Sequence, residues 1–271
     1  MPERRSLLEW RCTVTQPRSV RFTDTMSHPK PSQTTPRRVT CRVRALQQFN
    51  HAIMQVLLQP ESPAGLDFHA GQYINIVLDD DRLRPFSLAS APREDNLLEL
   101  HIRHNAGGRV AAWLQQDLAQ DTRVQVEGPY GDFHVQDSER PMIMIAGGTG
   151  FAPIKSLVEQ LIAQQCRRTL YLYWGARTRE DLYLENLAQR WGRVHDNIHF
   201  IPVVSEESPQ ATLRGGLVHE AVLEDFAGLA DYEVYICGPA AMIQTARQAL
   251  LRHGLREDAI FSDMFAFLDN D

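Results

Sequence analysis

The tightest constraint on the fold is Met142-Ile143-Met144-Ile145-Ala146, an unbroken apolar run that leads straight into Gly147-Gly148-Thr149-Gly150 and a helical stretch from Pro153. A strand that is apolar at every position, not at alternate ones, is buried on both faces, as in a parallel sheet covered by helices. The same rhythm recurs after Pro141: Thr169 to Trp174 then Glu180 to Gln189, Ile198 to Val204 then Gly216 to Glu224, and Glu233 to Cys237 then Ala240 to Arg252. A last short strand falls near Ala259 to Ser262. This half predicts a parallel α/β sheet.

The preceding hundred residues or so follow a different rhythm. Short strand-like runs at Val39 to Leu46, Ile53 to Leu58, Tyr73 to Leu78, Phe86 to Ala89, Leu97 to Arg103 and Arg123 to Glu127 are separated by turns such as Asp79-Asp80-Asp81. Short strands with turns at this spacing predict a small antiparallel barrel. One helical segment, Arg109 to Leu118, interrupts them, entered through Gly107-Gly108. Met1 to Arg38 mixes Arg, Ser, Thr and Pro without a sustained period and is expected to be a disordered basic tail. The predicted organisation is therefore a tail over 1–38, a barrel over 39–138 and an α/β domain over 139–271.

Composition narrows the function classes. With 271 residues, 43% apolar and 23% charged, the chain has the make-up of an ordinary soluble protein of two compact domains. A formal net charge of -6 argues against a nucleic-acid binder held by phosphate contacts. No stretch of eighteen apolar residues and no apolar leader core occurs, which predicts a cytoplasmic protein without a membrane partner. Cys12, Cys41, Cys166 and Cys237 are far apart, so no zinc or iron–sulfur site is expected.

Three short motifs carry chemistry. In Arg84-Pro85-Phe86-Ser87, the guanidinium is a planar fork for phosphate, the ring a stacking face, and the hydroxyl a donor to a ring nitrogen. Gly147 to Gly150 lets backbone approach a pyrophosphate at a helix N-terminus, although such a turn can equally be only a tight strand-to-helix junction. Cys237-Gly238-Pro239 stands at the carboxyl end of a later strand, where open parallel sheets place ligands; a solitary cysteine can also be a small core residue. Gly107-Gly108, opening a helix in the barrel half, repeats the phosphate logic and implies a second anionic ligand.

In this order the motifs resemble the ferredoxin-NADP reductase superfamily, above all its bacterial flavin reductase and oxygenase-reductase branches, including the CDP-6-deoxyglucoseen reductase-like members. The resemblance runs from about Val39 to Leu268 and implies a flavin-binding barrel followed by an NAD(P)-binding domain. By that likeness Arg84 binds the flavin phosphate, Phe86 stacks on the isoalloxazine and Ser87 lies near N5. Gly107, Gly108, Arg109 and Val110 hold the flavin pyrophosphate. Many members carry a hydroxyl residue next, where this chain has Ala111 and Ala112. His101, Ile102 and Arg103 fall in the flavin half and are expected among its cofactor-binding positions, with His101 otherwise an ordinary strand-end residue. Gly147, Gly148, Thr149 and Gly150, with Cys237, Gly238 and Pro239, form the nicotinamide nucleotide site, placing Cys237 beside C4. Arg177 or Arg179 falls where the family reads the adenosine ribose. The run Ile260 to Phe267 is similar to the end of bacterial flavin reductases.

The activity implied is hydride transfer from NAD(P)H to flavin N5, with Ser87 and Cys237 the catalytic neighbours and FAD, or FMN or riboflavin as a diffusible substrate, as acceptor. An alternative keeps FAD bound and passes electrons to a separate ferredoxin or oxygenase. A third is a nucleotide-sensing module without turnover.

Overall fold

A computed structural model describes residues 35–78, 82–104, 113, 118–206 and 213–263. Six antiparallel strands form the first body: β1 (Arg37–Asn50), β2 (Ile53–Pro60), β3 (Tyr73–Val77), β4 (Leu83–Ser87), β5 (Leu98–Arg103) and β6 (Arg123–Tyr130). Their order is β4-β3-β6-β1-β2-β5, and a bridge between Leu88 and Leu100 joins the two ends. The sheet thus closes at this bridge, while β4 itself pairs only with β3. Its interior is filled by Val43, Val56, Leu58, Ile74, Ile76, Leu100, Ile102 and Val126.

Strand β1 is longer than its apolar pattern suggests because it serves two partners. Arg37 to Arg42 pair with β6, and Cys41 to Asn50 pair with β2 through two register shifts. Such bulges bend a strand and let it turn a barrel corner. The strand opens two residues inside the expected tail; residues 1–34 lie outside the described residues.

The second body is a six-stranded parallel sheet. Its elements are β7 (Met142–Gly147), α1 (Phe151–Ala163), β8 (Leu170–Ala176), α2 (Glu185–Val194), β9 (Ile198–Val204), β10 (Arg214–Gly215), α3 (Val218–Asp225), β11 (Glu233–Cys237), α4 (Ala240–Arg252) and β12 (Ile260–Phe261). The strand order is β10-β9-β8-β7-β11-β12. The unbroken apolar run of β7 divides as its lack of alternation requires. Met142, Met144 and Ala146 enter the layer with Phe151, Leu157 and Trp174, while Ile143 and Ile145 enter the opposite layer with Val222, Ile243 and Leu250.

Local differences from the sequence reading have local causes. The helix expected from Glu180 begins at Glu185, because Thr178 and Asp181 cap a separate 3-10 turn over Arg179–Asp181 and Leu182 leaves helical geometry. Residues Leu182 to Leu184 thereby carry the Tyr183 ring to the barrel. Strand β10, only two residues long, has too little pattern to be legible.

Candidate active site

Chain order places β8 and β9 on one side of β7 and β11 on the other. The order reverses between β7 and β11, and the crevice at the carboxyl ends of two such strands is where open α/β sheets bind ligands. Both sheet-domain motifs stand there. Ala146 and Cys237 are directly paired, so Gly147–Gly150 and Cys237–Pro239 leave adjacent strands side by side.

The glycines are required by this closeness. Gly148 adopts φ +52°, and a Cβ on Gly150 would stand 2.1 Å from the Cys237 carbonyl oxygen. Helix α1 starts at this turn with no side-chain cap and no acidic residue in its first turn. The Phe151 N–H turns back to the Gly148 and Thr149 carbonyls and Pro153 has none, so the pull on an anion comes from the glycine turn and the helix dipole. The turn is braced from behind: the Trp174 indole N–H donates to the Gly148 carbonyl at 3.0 Å, and its ring stacks on Phe151 at 3.7 Å between centroids. Thr149 is half-buried on the same turn.

On the barrel, β4 presents the Arg84-Pro85-Phe86-Ser87 motif along its length. Arg84 and Pro85 are exposed, and Arg84 has no hydrogen-bond or ion-pair partner among the described residues. Phe86 is half-buried against the barrel core. Ser87 pairs with Tyr73 of β3, and its hydroxyl donates to the Asp263 carboxylate. Burial pushes that carboxyl up to about 6 despite the Ser87 hydrogen bond. The Cys237 thiol is pushed up mainly by burial and further by the Asp263 charge. The Asp263 carboxyl is thus bonded to the barrel motif and its charge is felt at the sheet motif.

Strand β5 has a two-residue side-chain period. Leu98, Leu100 and Ile102 fill the barrel, while Glu99, His101 and Arg103 face the sheet domain. Ile102 therefore offers a ligand only its backbone. His101 is fully engaged, Nε2 with Glu99 at 2.9 Å and Nδ1 with the Tyr183 hydroxyl at 2.9 Å. Burial pushes its imidazole down, so the neutral ring donates to Glu99 and accepts from Tyr183. Arg103 reaches across the domains, with Nη2 2.8 Å from the Cβ position of Gly148. Arg177, at the end of β8, is exposed and held by both Glu206 oxygens at 2.7 and 3.1 Å. Gly107, Gly108, Arg109 and Val110 lie outside the described residues, as do Ala111 and Ala112.

Sequence reasoning did not single out Asp263, Lys155, Glu99 or Tyr183. Two of them carried a signal: Asp263 and Lys155 are lone charges in the apolar runs Ile260 to Phe267 and Phe151 to Val158. A cavity of about 210 Å³, lined by Met142, Leu161, Cys166, Arg167 and His195, sits at the opposite, amino end of the strands, away from these groups.

The groups present suit two ligands. The bare N-terminus of α1 with its glycine cradle fits a pyrophosphate, and the unpaired Arg84 with the Ser87 hydroxyl fits a phosphate-bearing ring. A closed barrel carrying one such site and a parallel sheet carrying the other define a two-domain oxidoreductase that joins a flavin to a nicotinamide nucleotide. Comparison with known proteins agrees. Residues 40–135 match the oxidoreductase FAD-binding domain and residues 144–248 the oxidoreductase NAD-binding domain. The chain is 38% identical over 237 residues to the NAD(P)H-flavin reductase of Vibrio harveyi, covering 85% of this chain and 99% of that protein. It is 36% identical over 242 residues to the CDP-6-deoxy-L-threo-D-glycero-4-hexulose-3-dehydrase reductase of Yersinia pestis, covering 89% of this chain and 73% of that one. Among solved structures, the Amycolatopsis cytochrome P450 reductase GcoB superposes with a TM-score of 0.79 at 33% identity, covering 85% of this chain and 70% of that one. The chain belongs to the ferredoxin reductase family and is an NAD(P)H-dependent flavin oxidoreductase. No helix among the described residues is long and apolar enough to cross a membrane.

Proposed function

We propose that this chain is a cytoplasmic NAD(P)H-flavin reductase, and that its working centre is the group Ser87, Cys237 and Asp263. The observation that carries this reading is the pairing of Ala146 with Cys237, which sets both sheet-domain motifs side by side, with Asp263 hydrogen-bonded to Ser87 of the barrel motif. The two bound rings supply the redox chemistry, a hydride passing from the nicotinamide to the flavin. The protein's part is to bring them face to face.

Arg84 holds the flavin phosphate and Phe86, half-buried beside it, offers its ring to the flavin. The glycine turn Gly147 to Gly150, at the head of α1, holds the nucleotide pyrophosphate. Ser87 orients its hydroxyl between Asp263 and the flavin ring. Asp263, titrating near neutrality, holds or gives up a proton on the Ser87 side of the site. The Cys237 thiol stays protonated, so it acts as a small apolar neighbour of the nicotinamide and not as a nucleophile. Coenzyme choice falls to NADH, because Glu206 neutralises Arg177 and adds a carboxylate that would repel a 2'-phosphate bound to it.

The Vibrio harveyi flavin reductase is matched over 99% of its length, so almost every segment of that protein has a counterpart in this chain. A second reading keeps FAD bound and hands electrons to a separate oxygenase or ferredoxin. It draws support from the relatives named as a cytochrome P450 reductase and a terephthalate 1,2-dioxygenase reductase component. Purification separates the two. A colourless protein that oxidises NADH only when flavin is added supports the flavin reductase; a yellow protein with stoichiometric FAD and no activity on free flavin sinks it.

A further inference from the structure

Helix α1 carries the nucleotide turn at its head and a buried charge one turn later. Lys155 is 5% exposed, and its ammonium donates to three acceptors: Ala89 O at 2.9 Å, Glu99 Oε2 at 3.0 Å and Glu159 Oε1 at 2.8 Å. Ala89 and Glu99 belong to the barrel, and Ala89 is two residues past Ser87. The next residue repeats the grip. Ser156 Oγ donates to Ser90 O at 2.7 Å and accepts from Gly71 N at 3.3 Å, while Glu159 accepts from Ala91 N at 3.4 Å.

A second line of contacts runs from the same carboxylate to the glycine turn. Glu99 accepts from Gln55 at 2.8 Å and from His101 at 2.9 Å. His101 accepts from Tyr183, whose ring packs edge-on against Trp174 at 5.2 Å, and Trp174 donates to Gly148 O. Burial alone would raise the Glu99 carboxyl, but the His101 hydrogen bond and the Lys155 charge bring it down to about 2.

An apolar side chain could fill the place of Lys155 without the desolvation a buried ion pair entails. Apolar contact, however, is non-directional and lets two bodies slide, whereas an ammonium with three acceptors has one geometry. We propose that Lys155 is a positioning residue: by tying the helix behind the nucleotide turn to the segment that follows Ser87, it sets the separation and facing of the nicotinamide and flavin rings. The inference rests on the flavin–nicotinamide reading of the two sites. Hydride transfer is the step most sensitive to this separation, since a misplacement of about 1 Å costs about 100-fold.

The test is Lys155→Met in the full chain. The hydride-transfer rate at saturating NADH is expected to fall about 10- to 100-fold, while the dissociation constants of flavin and NAD⁺ stay within about twofold. In the ligand-free protein, the Gly71 and Ala91 amides should exchange at least about tenfold faster, with the Val56 and Ile145 amides unchanged. Adding Glu99→Gln removes the buried carboxylate that has lost its cation, so the double variant should regain thermal stability but not rate. A rate within about twofold of the parent, a loss confined to KM, or rate recovery in the double variant would each overturn the proposal. Should Lys155→Met fail to fold, Ser156→Ala decides by the same rate and exchange readouts. A parent protein unable to reduce flavin with NADH would instead refute the functional reading itself.

Discussion

Replacing Asp263 with asparagine should make the protein more stable and a poorer enzyme. The Asp263 carboxyl is raised from 3.8 to about 6, chiefly by burial, which means that the folded state prefers it protonated. The group therefore contributes full stability only below its unfolded value of 3.8, and that contribution is lost as pH rises through 6. Holding a carboxyl at about 6 instead of 3.8 corresponds to about 3 kcal/mol at neutral pH. The Asp263→Asn variant should recover about 2–3 kcal/mol of this, because its side-chain amide still accepts from Ser87. For a chain of this size that is a rise of about 5–10 °C in the unfolding midpoint. Chemical denaturation of both proteins at a series of pH values gives the assay. The stability gap should open between pH 3.8 and about 6 and stay level above it. In parallel, the asparagine variant should lose any inflection near pH 6 in NADH oxidation. It should also run about 100-fold slower or more, the scale expected for removing a group that handles a proton. Parallel stability curves for the two proteins, or an equal loss of stability and activity at pH 7, would refute the claim that Asp263 is kept at an energetic cost for function.

Three further outcomes follow from the same geometry. Ser87→Ala should slow single-turnover flavin reduction about tenfold or more with the unfolding midpoint nearly unchanged, since a half-buried hydroxyl contributes only about 1 kcal/mol to folding. Gly150→Ala forces a Cβ to within 2.1 Å of the Cys237 carbonyl and should abolish nucleotide binding by calorimetry, because backbone on both strands must move. Glu206→Gln frees Arg177 and should shift the ratio of kcat/KM for NADPH over NADH upward by about 5- to 20-fold, while thermal unfolding stays the same because an exposed ion pair adds little to folding.

Much of the site was legible because its parts are backbone motifs. A glycine turn between an apolar strand and a helix announces its own geometry, and Gly147 to Gly150 and Cys237 to Pro239 lie where their strand ends predicted. The barrel motif was legible as a guanidinium, a ring and a hydroxyl set within four residues of one strand. What escaped were residues whose meaning depends on a distant partner. Asp263 is ordinary until Ser87, far earlier in the chain, is found against it. His101 and Ile102 fell in the expected site by proximity in sequence, yet the strand's alternation sends one to a hydrogen-bond network and the other into the barrel core.

The sequence by itself determined the two architectures, their order and the glycine turn that follows β7, because hydrophobic period, turn chemistry and glycine requirements act over a few residues at a time. Only the tertiary structure decided how the two bodies face each other. That choice is made by a few directed bonds between charged and polar groups, Lys155 with Glu99 and Ala89, Ser156 with Ser90, and Asp263 with Ser87. Such bonds join residues far apart in the chain and follow no period, so they become visible only once the fold has brought them within hydrogen-bond reach.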